Sequence, residues 1–363
     1  MTGPVVHLVV PGSLEQRTGG YLYDARMASE MRARGRRVTV HELSGTFPEG
    51  DDEARSSLDA ALASVDAGGC VVVDGLAGGG LPDVLAAHAD RLGIVALVHH
   101  PLADETGLDS ACVARFHESE KAALAACRGV VVTSRFTAGR LTEFGVATDR
   151  VRVAVPGTEP AEPATGPGDD APPRLLCVGS LTPRKGHDVL VDALAKLPDL
   201  EWTCVLAGSE AYDPAHALAV RERVRARQLE GRITFVGELD ASTLDAHYRR
   251  ATLFVLASHY EGYGMALTEA IARGLPVVST TGGAIPFTVP DEAGVLVPPG
   301  DADALAGALR SLLTDRKRLN ALAAGALRAS ARLPDWTRAS RDFEAAVDAL
   351  ATARIPGTAS TPS

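Results

Sequence analysis

The sequence predicts an α/β protein of two domains. Apolar runs of strand length recur along the chain, with segments of helical period between them. Its 363 residues suffice for two domains of ordinary size. From Glu159 to Pro173 the composition shifts to Pro, Ala, Gly and Asp, with almost nothing to bury, which marks a linker. The expected parts are an N-terminal domain (1–158), a linker (159–173), a C-terminal domain (174–334), a last helix (335–352) and a disordered tail (353–363).

Composition excludes several functions. A hydrophobic content of 46% supports real cores, whereas 4% aromatics leave little for stacking on nucleic-acid bases. A formal charge of −10 argues against a general polyanion binder, although a local basic patch touching an anionic membrane stays open. No apolar run reaches bilayer length, and Met1-Thr2-Gly3-Pro4 does not read as a signal peptide. The five cysteines are scattered without a CxxC pair, so reduced thiols and a cytoplasmic location are expected.

The first half opens with a strand, Val5 to Val10, and a helix from Tyr21 to Arg34 closed by Gly35. Val38 to Val40 is the next strand, a βαβ opening without the G-x-G-x-x-G fingerprint. On residues alone, Gly19-Gly20 is a turn that leads into the helix. Leu58 to Val65 predicts a helix, Cys70 to Asp74 a strand, and Gly78-Gly79-Gly80 a mobile spacer loop. Asp51-Asp52-Glu53 lies away from a strand end and is discounted as a metal motif. Gly93 to Val98 is a strand that runs into His99-His100-Pro101, and strand carboxyl ends are where doubly wound sheets take ligands. No third ligand follows at metal spacing, so no metal is expected. Asp104 to Leu108 is an acidic loop, either solvated or lining an acceptor cleft. A helix (His117 to Cys127), a strand (Val130 to Ser134), an amphipathic helix to Gly145 and a strand (Val151 to Gly157) complete this half.

The second half begins with a strand, Arg174 to Gly179, the loop Ser180 to Gly186, and a helix through Val189, Leu190, Ala193, Leu194 and Leu197. Arg184 and Lys185 in that loop suit a diphosphate, one as a bidentate fork and the other as a point charge. Trp202 to Gly208 and Ile233 to Leu239 are strands, with a helix from Ala215 to Gln228 between them. The organising stretch is the apolar run Leu253 to Ala257, the loop Glu261-Gly262-Tyr263-Gly264, a helix carrying Met265, Ala266, Leu267, Ala270 and Ile271, then Gly274 and the strand Pro276 to Val278. A glycine loop opening onto a helix N-terminus is an anion site suited to phosphate. Glu269 falls roughly 7 Å along the helix axis from that turn, about the reach from a diphosphate to a ribose. Glu261, on the other side, can accept from a sugar hydroxyl. A diphosphate between two hydroxyl-rich rings describes a nucleotide-sugar. Gly294 to Asp301 is a short strand and cap, Ala302 to Leu313 a helix, and Asp335-Trp336 starts an amphipathic helix to Leu350.

The spacing Glu261-x7-Glu269, followed by Gly-Leu-Pro-Val-Val and Thr281-Gly282-Gly283, resembles the retaining glycosyltransferase family 4. The resemblance covers nearly the whole chain and implies the GT-B fold of two facing Rossmann-like domains, with the last helix crossing back to the first. It implies a metal-independent transfer of sugar from an NDP-sugar, UDP before GDP or ADP, to a small-molecule, saccharide or lipid acceptor on the first domain. Closure of the cleft would expel water, and the anomeric configuration would be retained by a front-face route with the leaving phosphate as base. In this family Gly19-Gly20 lets the backbone approach donor phosphate and acceptor. A histidine at the strand end, His99 with His100 in reserve, contacts a donor-sugar hydroxyl. The nucleobase sits against the backbone from Val236 through Glu238 to Leu239. Lys185-Gly186 matches the family's Lys-Gly, but the usual Gly-Arg is Gly179-Ser180 here, which leaves Arg184 as the substitute. Phe287 stands where the family places a glutamate. Two other readings fit the same fold: a UDP-sugar epimerase and an inactive nucleotide-sugar-binding module.

Overall fold

The computed structural model describes residues 4–168 and 171–353. The chain divides into two compact units, one of Met1–Gly157 with Trp336–Ser363, the other of Thr158–Asp335. The expected tail lies outside the described residues, except for Ala353.

In the first unit six parallel strands form one sheet: β1 (Val6–Pro11), β2 (Val38–Leu43), β3 (Cys70–Asp74), β4 (Gly93–Val98), β5 (Gly129–Val132) and β6 (Val151–Val153). Their order is β2-β1-β3-β4-β5-β6. β3, β4 and β5 are buried along their whole length, as unbroken Val-rich runs must be when helices cover both faces of a parallel sheet. The helix Trp336–Ala351 packs on the helix Gly19–Ala33. It buries Ala339, Phe343, Ala346, Val347 and Leu350, a stripe at helical spacing. Full burial of Phe343 alone is worth about 1.5–3 kcal/mol. Polar contacts fix its register: Arg34 donates to Ser340 Oγ at 3.0 Å and to Glu344 at 2.8 Å, and Arg36 meets Asp348 at 2.7 Å.

The second unit repeats the architecture with β7 (Arg174–Val178), β8 (Thr203–Ala207), β9 (Ile233–Gly237), β10 (Leu253–Leu256), β11 (Val277–Thr280) and β12 (Gly294–Val297). The order β12-β11-β10-β7-β8-β9 puts the first strand of the unit beside its fourth. This is the Rossmann order, and it reverses between β7 and β10. Its core gathers Leu190, Leu194, Trp202, Phe254, Ile271 and Leu309, and Trp202 donates to the Leu197 carbonyl at 3.0 Å.

Several local expectations change. Gly78-Gly79-Gly80 is not a loose loop: Gly75–Gly78 is one helical turn, and a Cβ on Gly80 would lie 1.9 Å from the Pro48 carbonyl oxygen. Glycine occurs there because backbones pack in contact. Asp51 caps the helix Asp52–Ala63 by accepting from the Ala54 N–H at 2.8 Å, which gives its acidic run a structural role. The helices Pro82–His88, Ala241–Arg249 and Arg316–Ser330 escaped the sequence reading. The first two are short, and the last two carry much polar surface, so the apolar period is weak. In the segment 159–173, Ala164 donates to the Arg273 carbonyl, while Thr165 and Gly166 donate to that of Arg249, at 2.8–3.1 Å. Those backbone bonds lay part of it along the second unit.

Candidate active site

Parallel strands end on a common edge, and the carboxyl edge at a reversal of strand order is where open α/β sheets leave a crevice. In the second unit that point lies between β7 and β10. The chain leaving β7 carries Arg184 and Lys185, and the chain leaving β10 carries Ser258 and Glu261. Lys185 Nζ lies 2.6 Å from Glu261 Oε1, and Ser258 Oγ donates to the same oxygen at 2.6 Å. Arg184 is 3.5 Å from Glu261 Oε2 and donates to the Tyr260 carbonyl at 3.1 Å.

The electrostatics follow from burial. Glu261 is only 5% exposed. Burial works to raise its pKa, but Lys185, Arg184 and the two hydrogen bonds outweigh it, so the carboxyl sits below its ordinary range. Lys185 is held below the usual lysine value because desolvation exceeds the pull of Glu261. Its ammonium has three donors, and Glu261 takes one.

Backbone contacts fix the loops. Gly186 has φ +62°, and a Cβ there would meet the Ala257 carbonyl oxygen at 2.2 Å, so only glycine lets the Lys185 turn lie against the end of β10. His259 N–H donates to the Arg184 carbonyl at 2.8 Å, joining the same loops. From the other side, Gly282 and Gly283 pack on His259 and Glu261, and Ala284 N–H donates to the Glu261 carbonyl at 2.8 Å.

Beyond Glu261, the loop Gly262-Tyr263-Gly264 opens onto the helix Met265–Ala272. Gly264 is its N-cap at φ +92°, and no side chain caps this end. The first-turn N–H groups of Met265 and Ala266 therefore lack an intrahelical partner and lie where an anion would be held. Leu267 is buried and anchors the turn. Glu269, one turn on, accepts from the Tyr248 hydroxyl at 2.9 Å, and burial raises its pKa. Tyr248 was not found in the sequence because it lies on the short helix Ala241–Arg249; an aromatic facing the next strand was the available sign. Ser258, just past the apolar run, carries no sequence motif that marks its bond to Glu261.

On the β7 side, Val236 lies in β9, and Glu238 and Leu239 follow it. β9 neighbours β8, and the Gly237 carbonyl accepts from Gly208 N–H at 2.8 Å, so this exit lies along the same edge. Phe287 is 64% exposed on the turn Ile285–Thr288, whose Thr288 hydroxyl donates to the Tyr263 carbonyl at 2.6 Å.

The first unit places Gly19, Gly20 and His99 together. The helix begins at Gly19, and a Cβ on Gly20 would sit 3.1 Å from the His99 ring. His99 Nε2 lies 3.2 Å from Asp24 and 3.3 Å from Asp74, two buried carboxylates that had no part in the sequence reading. These three atoms lie within 4.8 Å of one another, the single such grouping of possible metal ligands among the described residues, and the two distances to Nε2 are of hydrogen-bond length. His100 turns elsewhere, with Nε2 3.3 Å from Glu105. In the acidic loop, Asp104 pairs with Arg140 at 2.6 Å.

Residues 160–328 match the family described as Glycosyl transferases group 1. That segment, similar to the group 1 glycosyl transferases, holds the Lys185–Glu261 cluster and the Gly264 helix start. The chain is also similar to proteins with named activities. The chain is 33% identical over 241 residues to the lipopolysaccharide core biosynthesis mannosyltransferase LpsB of Rhizobium meliloti, covering 62% of this chain and 64% of that protein. It is 32% identical over 246 residues to the D-inositol 3-phosphate glycosyltransferase of Xylanimonas cellulosilytica, covering 61% and 57%. The alignments thus span a little under two thirds of these relatives. Among solved structures, the sucrose-phosphate synthase of Thermosynechococcus elongatus superposes with a TM-score of 0.80 at 22% identity, covering 96% of this chain and 99% of that one. The Anabaena protein Alr3699/HepE, solved with UDP and glucose, gives 0.73 at 18% identity, covering 94% and 99%. The fold is GT-B. No helix among the described residues is long and apolar enough to cross a membrane.

Proposed function

We propose that this chain is a retaining, metal-independent glycosyltransferase of the family 4 type that uses an NDP-sugar, first of all a UDP-sugar. The observation that carries the reading is the Lys185–Glu261 pair at the β7/β10 reversal, beside an uncapped helix start. The named activities of the relatives support the class, and the UDP in a structure of the same fold supports the nucleotide.

In this reading the diphosphate docks on the N–H groups at Gly264 to Ala266. Lys185 and Arg184 neutralise the charge that grows as the C1–oxygen bond of the donor breaks. Arg184 takes the part of the arginine whose place Ser180 occupies. Glu269, steadied by Tyr248, binds the ribose hydroxyls; Glu261 and His99 bind hydroxyls of the sugar. The nucleobase lies along Val236 to Leu239. The acceptor hydroxyl attacks C1 on the face the leaving group departs from, and its proton passes to the leaving phosphate oxygen. The sequence leaves the acceptor open among lipid, saccharide and small molecule, and the five unpaired cysteines favour a reducing compartment.

The test is UDP release from a panel of UDP-sugars with candidate acceptors, in wild type, Lys185→Ala and Glu261→Gln. Each substitution is expected to cut turnover about 100-fold or more, the scale of losing one charge-stabilising donor. Turnover at the wild-type level in both variants rejects the assignment.

A further inference from the structure

His99 has one nitrogen engaged and one outward. Nε2 faces Asp24 Oδ1 at 3.2 Å and Asp74 Oδ2 at 3.3 Å. Among the described residues Nδ1 makes no hydrogen bond, and it is not among the buried polar atoms that lack one. Neighbours fix the residue on its inner side. Gly20 backs it, the edge of Tyr23 meets it at 5.4 Å between centroids, and the Thr133 hydroxyl donates to the His99 carbonyl at 3.3 Å. Asp24 comes from the helix after β1, Asp74 from the end of β3 and His99 follows the end of β4, so three elements converge on one nitrogen. Asp24 is 1% exposed and Asp74 5%, and among the described residues the ion pair of each carboxylate is with this ring.

We propose that Asp24 and Asp74 are positioning residues for His99: they hold it as an imidazolium through Nε2–H and so present Nδ1–H outward as a charged donor to a sugar hydroxyl oxygen. A neutral ring with its proton on Nε2 would offer Nδ1 as an acceptor instead, so the two carboxylates decide whether the ring donates to the hydroxyl or accepts from it. Burial alone lowers the histidine pKa, yet the two carboxylates carry it up to about 10, while burial lifts Asp24 to about 6. The other titratable neighbours do not compete: Tyr23 is neutral, its hydroxyl bonded to the Ala154 carbonyl, and His100 faces Glu105. The inference rests on the reading of His99 as a sugar contact, but its core, the charge on the ring, is measurable without turnover.

The experiment is a pH titration by NMR of the full chain labelled with ¹⁵N-histidine, with His99→Asn used to assign the resonance. His99 is expected to keep both nitrogens protonated from pH 6 to 8.5, and in Asp74→Asn its midpoint is expected to fall by two units or more. Asp24→Asn serves as the second variant should Asp74→Asn not fold. Titration of wild-type His99 near pH 6.5 overturns the proposal, as does an unchanged midpoint in both variants. A separate arm measures UDP and UDP-glucose binding at pH 7.5. In Asp74→Asn the preference for UDP-glucose over UDP is expected to drop about tenfold, with UDP affinity kept. If neither probe binds wild type, the UDP-sugar reading fails while the NMR result still decides the charge of the ring.

Discussion

Lys185 Nζ stands 2.6 Å from Glu261 Oε1 across 76 residues of sequence, and both side chains are largely withdrawn from water. Removing one partner of such a pair strands the other charge in the interior, which costs about 3–5 kcal/mol. Lys185→Met is therefore expected to lower the urea midpoint strongly. The double variant Lys185→Met/Glu261→Gln should recover much of that loss without recovering turnover. Additive effects on stability in the cycle would show that the two side chains are not coupled.

Glu269 is expected to hold the nucleoside through a carboxylate oriented by Tyr248. Glu269→Gln should weaken UDP binding about tenfold, equivalent to roughly 1.4 kcal/mol. Tyr248→Phe keeps the ring in the core but removes the donor, and should weaken binding less, by about threefold, with a stability loss on the order of 1 kcal/mol. Calorimetry with UDP checks both. Unchanged affinity in Glu269→Gln would remove the residue from the site.

Gly186→Ala brings a Cβ to 2.2 Å from the Ala257 carbonyl oxygen at a backbone angle of φ +62°. The turn must shift, and Lys185 shifts with it. The expected result is a fall in Tm of several degrees together with a drop in kcat on the order of 100-fold, because a displacement near 1 Å is enough for that. An active, equally stable variant would mean the Lys185 turn tolerates movement.

Glu120 is buried in the first unit; among the described residues its Oε1 has no partner, while Oε2 accepts from Leu102 N–H at 2.9 Å, and burial pushes its pKa up to about 8. The folded protein thus holds a proton that the unfolded chain has released above its ordinary value near 4.5. That stabilisation is complete in acid and is lost as pH rises through 8. Glu120→Gln keeps an acceptor for Leu102 without the charge. Its Tm should match wild type near pH 4.5 and exceed it by on the order of 5 °C at pH 9. Parallel Tm–pH curves for the two proteins would contradict this.

Much of the fold could be read before any coordinates. The Val-rich runs at β3, β4, β5 and β10 could bury both faces only inside a parallel sheet, and the glycine loop before Met265 could only open a helix. His99 was singled out because it ends β4, where such sheets take ligands, Lys185 as a cation in the loop after β7, and Glu261 from the glycine loop and its spacing to Glu269. What stayed hidden depends on neighbours remote in sequence. Nothing local shows that Asp24 and Asp74 both meet Nε2 of His99, that Ser258 and Lys185 grip the same carboxylate oxygen, or that Gly80 touches Pro48. Hydrophobic period and turn chemistry are properties of a few adjacent residues and so determine the elements. Strand order, and with it which charges meet out of water, is set only when the sheets assemble, since desolvation and pairing act through space rather than along the chain.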